Sequence, residues 1–262
     1  MRSIALQGLL CLGALAPLHA ATITLYNGAL NTSPSTQGFL FSSGGGTESL
    51  GGGGVTYSSL TNDAIQGGYT RLVTQNAVAG YTIRFDLQVI AEDHSNVNAQ
   101  NNTGVDNIAD RAGVSLILLN SGGTGIELGF WTDEIWAQND GPVKADPVTA
   151  PTGTRFTHGE GAAFNTTALT RYDLSVVGST YALYAGGNFS APVLSGSLRN
   201  YSPEGLPYTL PNFLYLGDNT TSARGSLRLN LMEISDTAVP EPGTMGLMLA
   251  GIAVFAALRL KR

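Results

Sequence analysis

A strict alternation of apolar and polar residues between positions 81 and 89 is the feature that most constrains the fold of this 262-residue chain. Tyrosine, isoleucine, phenylalanine, leucine and valine take every second position, and polar residues stand between them. A strand places such side chains on one face, whereas a helix would scatter them, so a half-buried strand is predicted. The 34 glycines and the low charged fraction of 12% favour an all-β protein with many turns.

Three further segments have strand character. Residues 171–185 predict a hairpin with Gly178 first in the turn, as a type II′ turn prefers. Residues 114–119 are continuously apolar, which is typical of a central strand. In residues 225–235 the apolar phase changes after Leu231, and this change predicts a β-bulge.

These patterns predict about twelve or thirteen strands in one domain spanning residues 21–237. Two antiparallel sheets packed face to face would bury the alternating rows. Residues 42–54 contain two glycine runs and are predicted to be a flexible surface loop. Residues 92–110 are rich in asparagine and are predicted to form a second long loop on the rim.

The first 20 residues predict a secretory signal peptide. Arg2 precedes an apolar stretch at 4–15, and small residues surround a cleavage point after Ala20. A short N-terminal membrane anchor is the alternative, although the stretch is shorter than the roughly 20 residues of a span. The single cysteine, Cys11, lies in this segment, so the exported part has no thiol for disulfides or metal sites.

The C-terminal segment, residues 239–262, has three parts. In order these are Pro240, Glu241 and Pro242; an apolar run at 244–258; and the basic residues Arg259, Lys261 and Arg262. Proline does not continue a helix, so the first part predicts an extended, accessible joint. The apolar run predicts a single transmembrane helix with its basic end in the cytoplasm. A plain tail anchor is the alternative.

This three-part tail resembles the PEP-CTERM sorting signal of exported, exopolysaccharide-associated proteins of Gram-negative bacteria. The resemblance implies an exosortase-type membrane peptidase as a partner and a transient stay in the inner membrane. It also implies a final location at the cell surface or in the extracellular matrix. Residues 80–236, with the hairpin and the closing strand, resemble concanavalin-like (laminin G-like) domains, which implies an antiparallel jelly-roll β-sandwich.

The charge distribution bears on partners. Residues 21–241 contain nine basic and nineteen acidic residues, a net charge of −10. Such a domain is repelled by nucleic acid and by anionic lipid, so no nucleic-acid partner is expected.

The segment around position 132 is the best candidate for ligand binding. A two-residue turn at 133–134 would place Trp131 opposite Trp136, with Glu127 and Gln138 on the same face. Two exposed indoles with hydrogen-bonding neighbours would form a stacking platform for the sugar rings of an extracellular polysaccharide. The alternative is that the tryptophans pack beneath a loop or a second layer.

Catalytic and metal-binding patterns are weak. Glycoside hydrolysis needs two flanking carboxylates, and jelly-roll glucanases carry them as Glu-x-Asp-x-Glu, a spacing that Glu127, Asp133 and Glu134 do not have. The sequence contains no Gly-x-Ser-x-Gly nucleophile motif. The protein is therefore expected not to be an enzyme.

Calcium is the one metal that the sequence leaves open. Asp93, Asp106 and Asp110 share the asparagine-rich loop, and calcium prefers such oxygen ligands. No Asp-x-Asp-x-Asp-Gly pattern is present, so a solvated loop without any cofactor is expected. His158 and Glu160 are close enough in sequence to couple, or to make only local hydrogen bonds.

Three functional hypotheses follow. The leading one is a non-catalytic exported protein of the surface or matrix that associates with exopolysaccharide and binds glycans. The second is a divergent glycoside-active enzyme on the same fold. The third is a purely structural biofilm or adhesion component.

Overall fold

The computed structural model describes residues 21–95, 111–121, 123–141 and 157–239. The predicted signal peptide, the Pro-Glu-Pro segment, the apolar run and the basic end lie outside these residues. Within the four described stretches, no helix has the length and apolar character needed to cross a membrane.

The described residues form sixteen strands and three short 3-10 helices. The strands are β1 (Thr22–Asn27), β2 (Leu40–Ser42), β3 (Thr47–Gly51), β4 (Gly54–Ser58), β5 (Gly67–Leu72), β6 (Tyr81–Asp93), β7 (Ser115–Leu119), β8 (Thr124–Phe130), β9 (Glu134–Gln138), β10 (His158–Ala163), β11 (Thr170–Val177), β12 (Thr180–Ala185), β13 (Leu194–Ser197), β14 (Arg199–Asn200), β15 (Phe213–Asp218) and β16 (Arg224–Ser235). The 3-10 helices are Gly28–Leu30, Pro34–Gln37 and Ser202–Glu204.

Two antiparallel sheets of eight strands pack face to face. Sheet A has the order β13-β12-β11-β6-β16-β4-β3, with β1 beside β16. Sheet B has the order β10-β9-β8-β7-β15-β5-β2, with β14 beside β8. The predicted all-β jelly-roll sandwich is confirmed.

The core lies between the sheets and follows the alternation seen in the sequence. In β6 the apolar residues at 81, 83, 85, 87 and 89 are all buried, as predicted. They pack in one cluster with the inner residues of sheet B, among them Leu116, Leu128 and Phe130. Burying one such side chain contributes about 1.5–3 kcal/mol, so these rows fix which face of each strand points inward.

Three local predictions are confirmed. Strands β11 and β12 form the predicted hairpin, and Gly178 has a φ of 59° at the first turn position. The apolar strand β7 is central, between β8 and β15. The register of β16 against β6 shifts between Leu229 and Leu231, where the phase change predicted a bulge.

The glycine-rich segment 42–54 is a correction. It contains β3 and the start of β4, which pair as a hairpin, and it is not a flexible loop. Gly52 and Gly53 have φ values of 59° and 79°, the left-handed backbone that a tight hairpin turn requires. Both strands are short; β3 is mostly exposed, and β4 alternates only Val55 and Tyr57, so no long apolar alternation marked them and the predicted number of strands was too low.

Candidate functional site

The hairpin of β8 and β9 has a different register from the predicted one. Gly129 lies opposite Trp136, and the backbone N–H of Trp131 donates to the carbonyl of Glu134 at 2.9 Å. The turn therefore consists of residues 132–133, one position earlier than predicted. This change moves the pairing by two residues, so each side chain stays on its predicted face.

A close approach between a glycine and an indole fixes this register. A Cβ atom on Gly129 would lie 2.6 Å from Cζ2 of Trp136, much closer than van der Waals contact. The indole thus occupies the space that a side chain at position 129 would need. Pairing the bulkiest residue of one strand with a glycine of the other is the feature that selects this register.

The predicted exposed tryptophan platform is wrong. Trp131 is 8% exposed and Trp136 is 1% exposed. The imidazole of His94 stacks on Trp131 with ring centroids 4.0 Å apart, and that of His158 stacks on Trp136 at 3.9 Å. The indole faces on which a sugar would stack are covered, and the tryptophans pack beneath a second layer.

Glu127 and Gln138 lie together, but they are not accessible either. Both are buried, and the Gln138 amide donates to the Glu127 carboxylate at 2.8 Å. The Tyr208 hydroxyl donates to the same carboxylate at 2.6 Å. Burial raises the pKa of Glu127. This pair belongs to a polar network beneath residues 199–212 and not to a surface site.

A different site, the histidine cleft, lies on the outer face of sheet B beside this hairpin. It has a volume of about 560 Å³. Its lining residues are His94, Trp131, Asp133, Glu134, His158, Gly159, Gly161, Ala162 and Ala163. Both histidines that follow residue 20 are therefore in one place, one from the end of β6 in sheet A and the other from β10 in sheet B.

Backbone and side-chain hydrogen bonds hold the turn of the hairpin beside the cleft. The Thr132 hydroxyl donates to the Glu92 carboxylate at 3.3 Å, which joins the turn to the end of β6. The N–H of Phe164 donates to the carbonyl of Asp133 at 2.8 Å, and the N–H of Thr166 donates to that of Thr132 at 3.1 Å. The acidic wall of the cleft is therefore attached to both sheets.

The floor of the cleft is made by edge strand β10 and has little side-chain bulk. Gly159, Gly161 and Ala163 alternate along its outer face. A Cβ atom on Gly161 would lie 2.7 Å from Oε1 of Glu134. The glycine thus lets the carboxylate reach across the strand.

Each histidine has a carboxylate partner, but the two environments differ. His94 Nδ1 lies 2.5 Å from Glu92, and this hydrogen bond raises the pKa of His94. Burial lowers the pKa of His158, although Glu134, 3.4 Å away, opposes the shift. Nε2 of His158 is buried without a hydrogen-bond partner. Protonation of the ring at Nε2 would therefore bury an N–H group that has no acceptor.

The remaining predicted site residues lie elsewhere. His158 pairs with Glu134, whereas Glu160 accepts hydrogen bonds from Arg199 and Tyr181. The carboxylate of Asp93 forms an ion pair with Arg224 at 2.6 Å. Asp106 and Asp110 lie outside the described residues, and in the part of the chain that is described no group of acidic residues and histidines is arranged to hold a metal ion.

Sequence reasoning missed the cleft because its parts are distant along the chain. His94 and His158 are separated by 63 residues, and no local motif links them. The only usable signal was their rarity, since the chain has three histidines in all.

Comparison with a family model identifies the tail. The model of the PEP-CTERM protein-sorting motif matches residues 238–262. The chain carries a PEP-CTERM sorting motif. The predicted Pro240, Glu241 and Pro242 and the basic residues all fall within the match, which implies an exported protein that is processed by exosortase, a membrane enzyme. No curated protein matches this chain at a significant level.

Several solved structures resemble this chain in fold. The carbohydrate esterase vb_24B_21 from Shiga toxin-encoding bacteriophage phi24B aligns with a TM-score of 0.51 and 13% identity over 83% of this chain and 100% of that chain. The cellulose-induced protein Cip1 aligns at 0.45 with 9% identity over 78% and 94%. The Emp46p carbohydrate recognition domain aligns at 0.45 with 9% identity over 82% and 97%. At these identities the likeness concerns the fold alone.

Proposed function

We propose that the protein is an exported, exosortase-processed component of the cell surface or extracellular matrix that binds uncharged polysaccharide in the histidine cleft without cleaving it. The observation that carries the proposal is the open, polar cleft built on a hydrogen-bonded hairpin of an exported domain.

The chemistry of the cleft suits a sugar ring. Its glycine and alanine floor leaves room for a flat ring, and Asp133, Glu134 and His94 supply hydrogen-bonding groups at the walls. The carboxylates accept hydrogen bonds from hydroxyl groups. Because the domain is strongly acidic, it repels uronic acids and favours neutral sugars.

Affinity electrophoresis of the purified full chain through gels with different polysaccharides tests the proposal. Neutral polysaccharide is expected to retard the wild type. Ala163→Leu, which fills the cleft from an exposed position, is expected to migrate freely. The matched control Ala191→Leu alters an exposed alanine outside the cleft and should behave as the wild type. Equal retardation of both variants would refute binding in the cleft, and silence on all glycans would favour a purely structural role.

A glycoside-active enzyme is the second candidate, and one observation favours it. The pKa of His94 is raised and that of His158 is lowered, and a pair of titratable groups displaced in opposite directions is typical of acid–base catalysis. Measuring release of reducing ends from the same polysaccharides separates the two candidates. If the wild type releases reducing ends and the His158→Gln variant does not, the protein is an enzyme and the proposal of binding without cleavage is wrong.

A further inference from the structure

A second cavity, which we name the Gln75 cavity, lies at the other end of strand β6. It has a volume of about 580 Å³ and opens between β1, the end of β5 and the end of β16. Tyr81 at the start of β6 lines it, whereas His94 of the histidine cleft follows the end of β6. Thirteen strand residues at about 3.3 Å each put the two sites about 40 Å apart.

The inner wall of the Gln75 cavity is apolar. Leu25, Val73 and Ile234 line it and are members of the main core. The cavity therefore reaches from the surface to the interior between the sheets. Such a wall favours contact with an apolar group of a ligand. It also keeps water away from hydrogen bonds that the ligand makes beside it.

One side chain in this cavity has unused hydrogen-bonding capacity. Gln75 is 6% exposed, and both its amide nitrogen and its amide oxygen are buried without a hydrogen-bond partner. Polar groups in protein interiors are nearly always paired, because an unpaired one has lost its hydration without compensation. A ligand that supplies both a donor and an acceptor would satisfy this amide.

Two of the polar side chains that line the cavity, those of Arg71 and Asn76, are already engaged. The guanidinium of Arg71 donates to the carbonyls of Leu25 and Gln37 at 3.0 and 2.9 Å. The Asn76 side chain accepts from the N–H groups of the next turn, including that of Val78 at 3.1 Å. The cavity therefore offers an amide, and its one arginine is used to hold the chain, which argues against recognition of an anion.

We propose that the Gln75 cavity binds the acetamido group of an N-acetylated amino sugar. The amide nitrogen of Gln75 donates to the carbonyl of the acetamido group, and its amide oxygen accepts from the N–H of that group. The acetyl methyl packs against Leu25, Val73 and Ile234. An acyl chain would fill the apolar wall but leave the amide unpaired.

This site is independent of the histidine cleft and of the function proposed for it, since no residue is shared between the two linings. If both sites are occupied in a matrix, one domain would contact glycans at both ends of the sandwich.

Saturation-transfer NMR on the purified full chain tests the inference, with N-acetylglucosamine, glucosamine and glucose as probes. The acetyl methyl of N-acetylglucosamine is expected to receive the strongest saturation. Glucose and glucosamine should bind at least about tenfold more weakly, because neither carries the carbonyl and N–H of an acetamido group together with a methyl that packs against the apolar wall. Equal binding of all three sugars, or no saturable binding of any, would overturn the proposal. This comparison uses the wild type and does not depend on a variant.

Two variants and a control test whether N-acetylglucosamine binds in the Gln75 cavity. Gln75→Leu is expected to lower the affinity for N-acetylglucosamine about tenfold or more, and Gln66→Leu, at an exposed glutamine, should leave it unchanged. The filled-cleft variant Ala163→Leu should also retain it, which separates this site from the histidine cleft. Because Gln75→Leu removes an unpaired buried amide, its melting temperature should equal or exceed that of the wild type. Retained affinity in Gln75→Leu, or displacement of the sugar by octanoate, would contradict the assignment.

Discussion

Replacing Asp218 with asparagine should make the protein markedly less sensitive to alkaline pH. Asp218 is fully buried at the end of β15, and its carboxylate accepts hydrogen bonds from the Ser59 hydroxyl and from the N–H of Thr220, the latter at 3.1 Å. These two hydrogen bonds do not compensate for the loss of water. Burial raises the pKa of Asp218 to about 8.

The magnitude follows from proton linkage. The carboxyl has an ordinary pKa of 3.8 and a folded pKa of about 8, so between these values the folded chain holds a proton that the unfolded chain has released. The free energy of unfolding therefore falls as pH rises, by about 1.4 kcal/mol per pH unit and by about 6 kcal/mol across the window. The stabilisation is complete below about pH 4 and is lost above about pH 8.

Urea unfolding between pH 4.5 and 9 measures this effect. In Asp218→Asn the contribution disappears, because asparagine stays neutral, so the variant should lose stability much less steeply than the wild type as pH rises. Asp236→Asn removes an exposed carboxylate and serves as the matched control, with a slope close to that of the wild type. Parallel slopes for the wild type and Asp218→Asn would refute the reasoning.

Three further changes test the hairpins and the histidine cleft. Trp136→Ala should lower the free energy of unfolding by about 3–5 kcal/mol in urea, because it removes a large buried ring; a loss below 1 kcal/mol would contradict its packing. Gly52→Ala should cost about 1–2 kcal/mol, because its φ of 59° disfavours an L-residue, and an unchanged midpoint would argue against this turn. In His94→Gln the pH transition of Trp131 fluorescence above pH 6.5 should vanish. Since Glu92 raises the pKa of His94, the stabilisation from that ion pair is complete below pH 6.5 and is lost as pH rises through the raised pKa. A fluorescence transition that persists in His94→Gln would show that another group causes it.

The faces of the strands were predictable from sequence, but the register of the central hairpin was not. Alternation assigns each residue of β8 and β9 to an inner or outer face, and a two-residue change of register leaves that assignment intact. Either turn position satisfied the same alternation. The deciding contact is between Gly129 and Trp136, and its signal in the sequence is a glycine without an apparent turn or bulge to require it.

The histidine cleft was unpredictable for a different reason. His94 follows a strand of sheet A and His158 begins an edge strand of sheet B, so only the packing of the two sheets brings them to one indole pair. The glycine hairpin of β3 and β4 was missed because backbone dihedral angles specify its turn, because β3 is mostly exposed, and because β4 is short and buries only Val55 and Tyr57 as large apolar residues. Periodicity therefore identifies long strands with several alternating apolar residues and is much less informative about short strands beside glycine-rich turns.

The contacts that bury the two tryptophans also determine what the surface beside them can recognise. The imidazoles of His94 and His158 cover the indole faces, and Nδ1 of each imidazole lies beside a carboxylate. The groups beside the cleft are therefore imidazole–carboxylate pairs and not bare indole faces. Stacking on an aromatic face tolerates many sugars, whereas a site that hydrogen-bonds a hydroxyl strongly disfavours an analogue that lacks it. Under the proposed function, the cleft is therefore expected to distinguish glycans by their hydroxyl pattern. A deoxy sugar that bound the histidine cleft as well as its parent sugar would show that stacking, and not hydrogen bonding, governs recognition there.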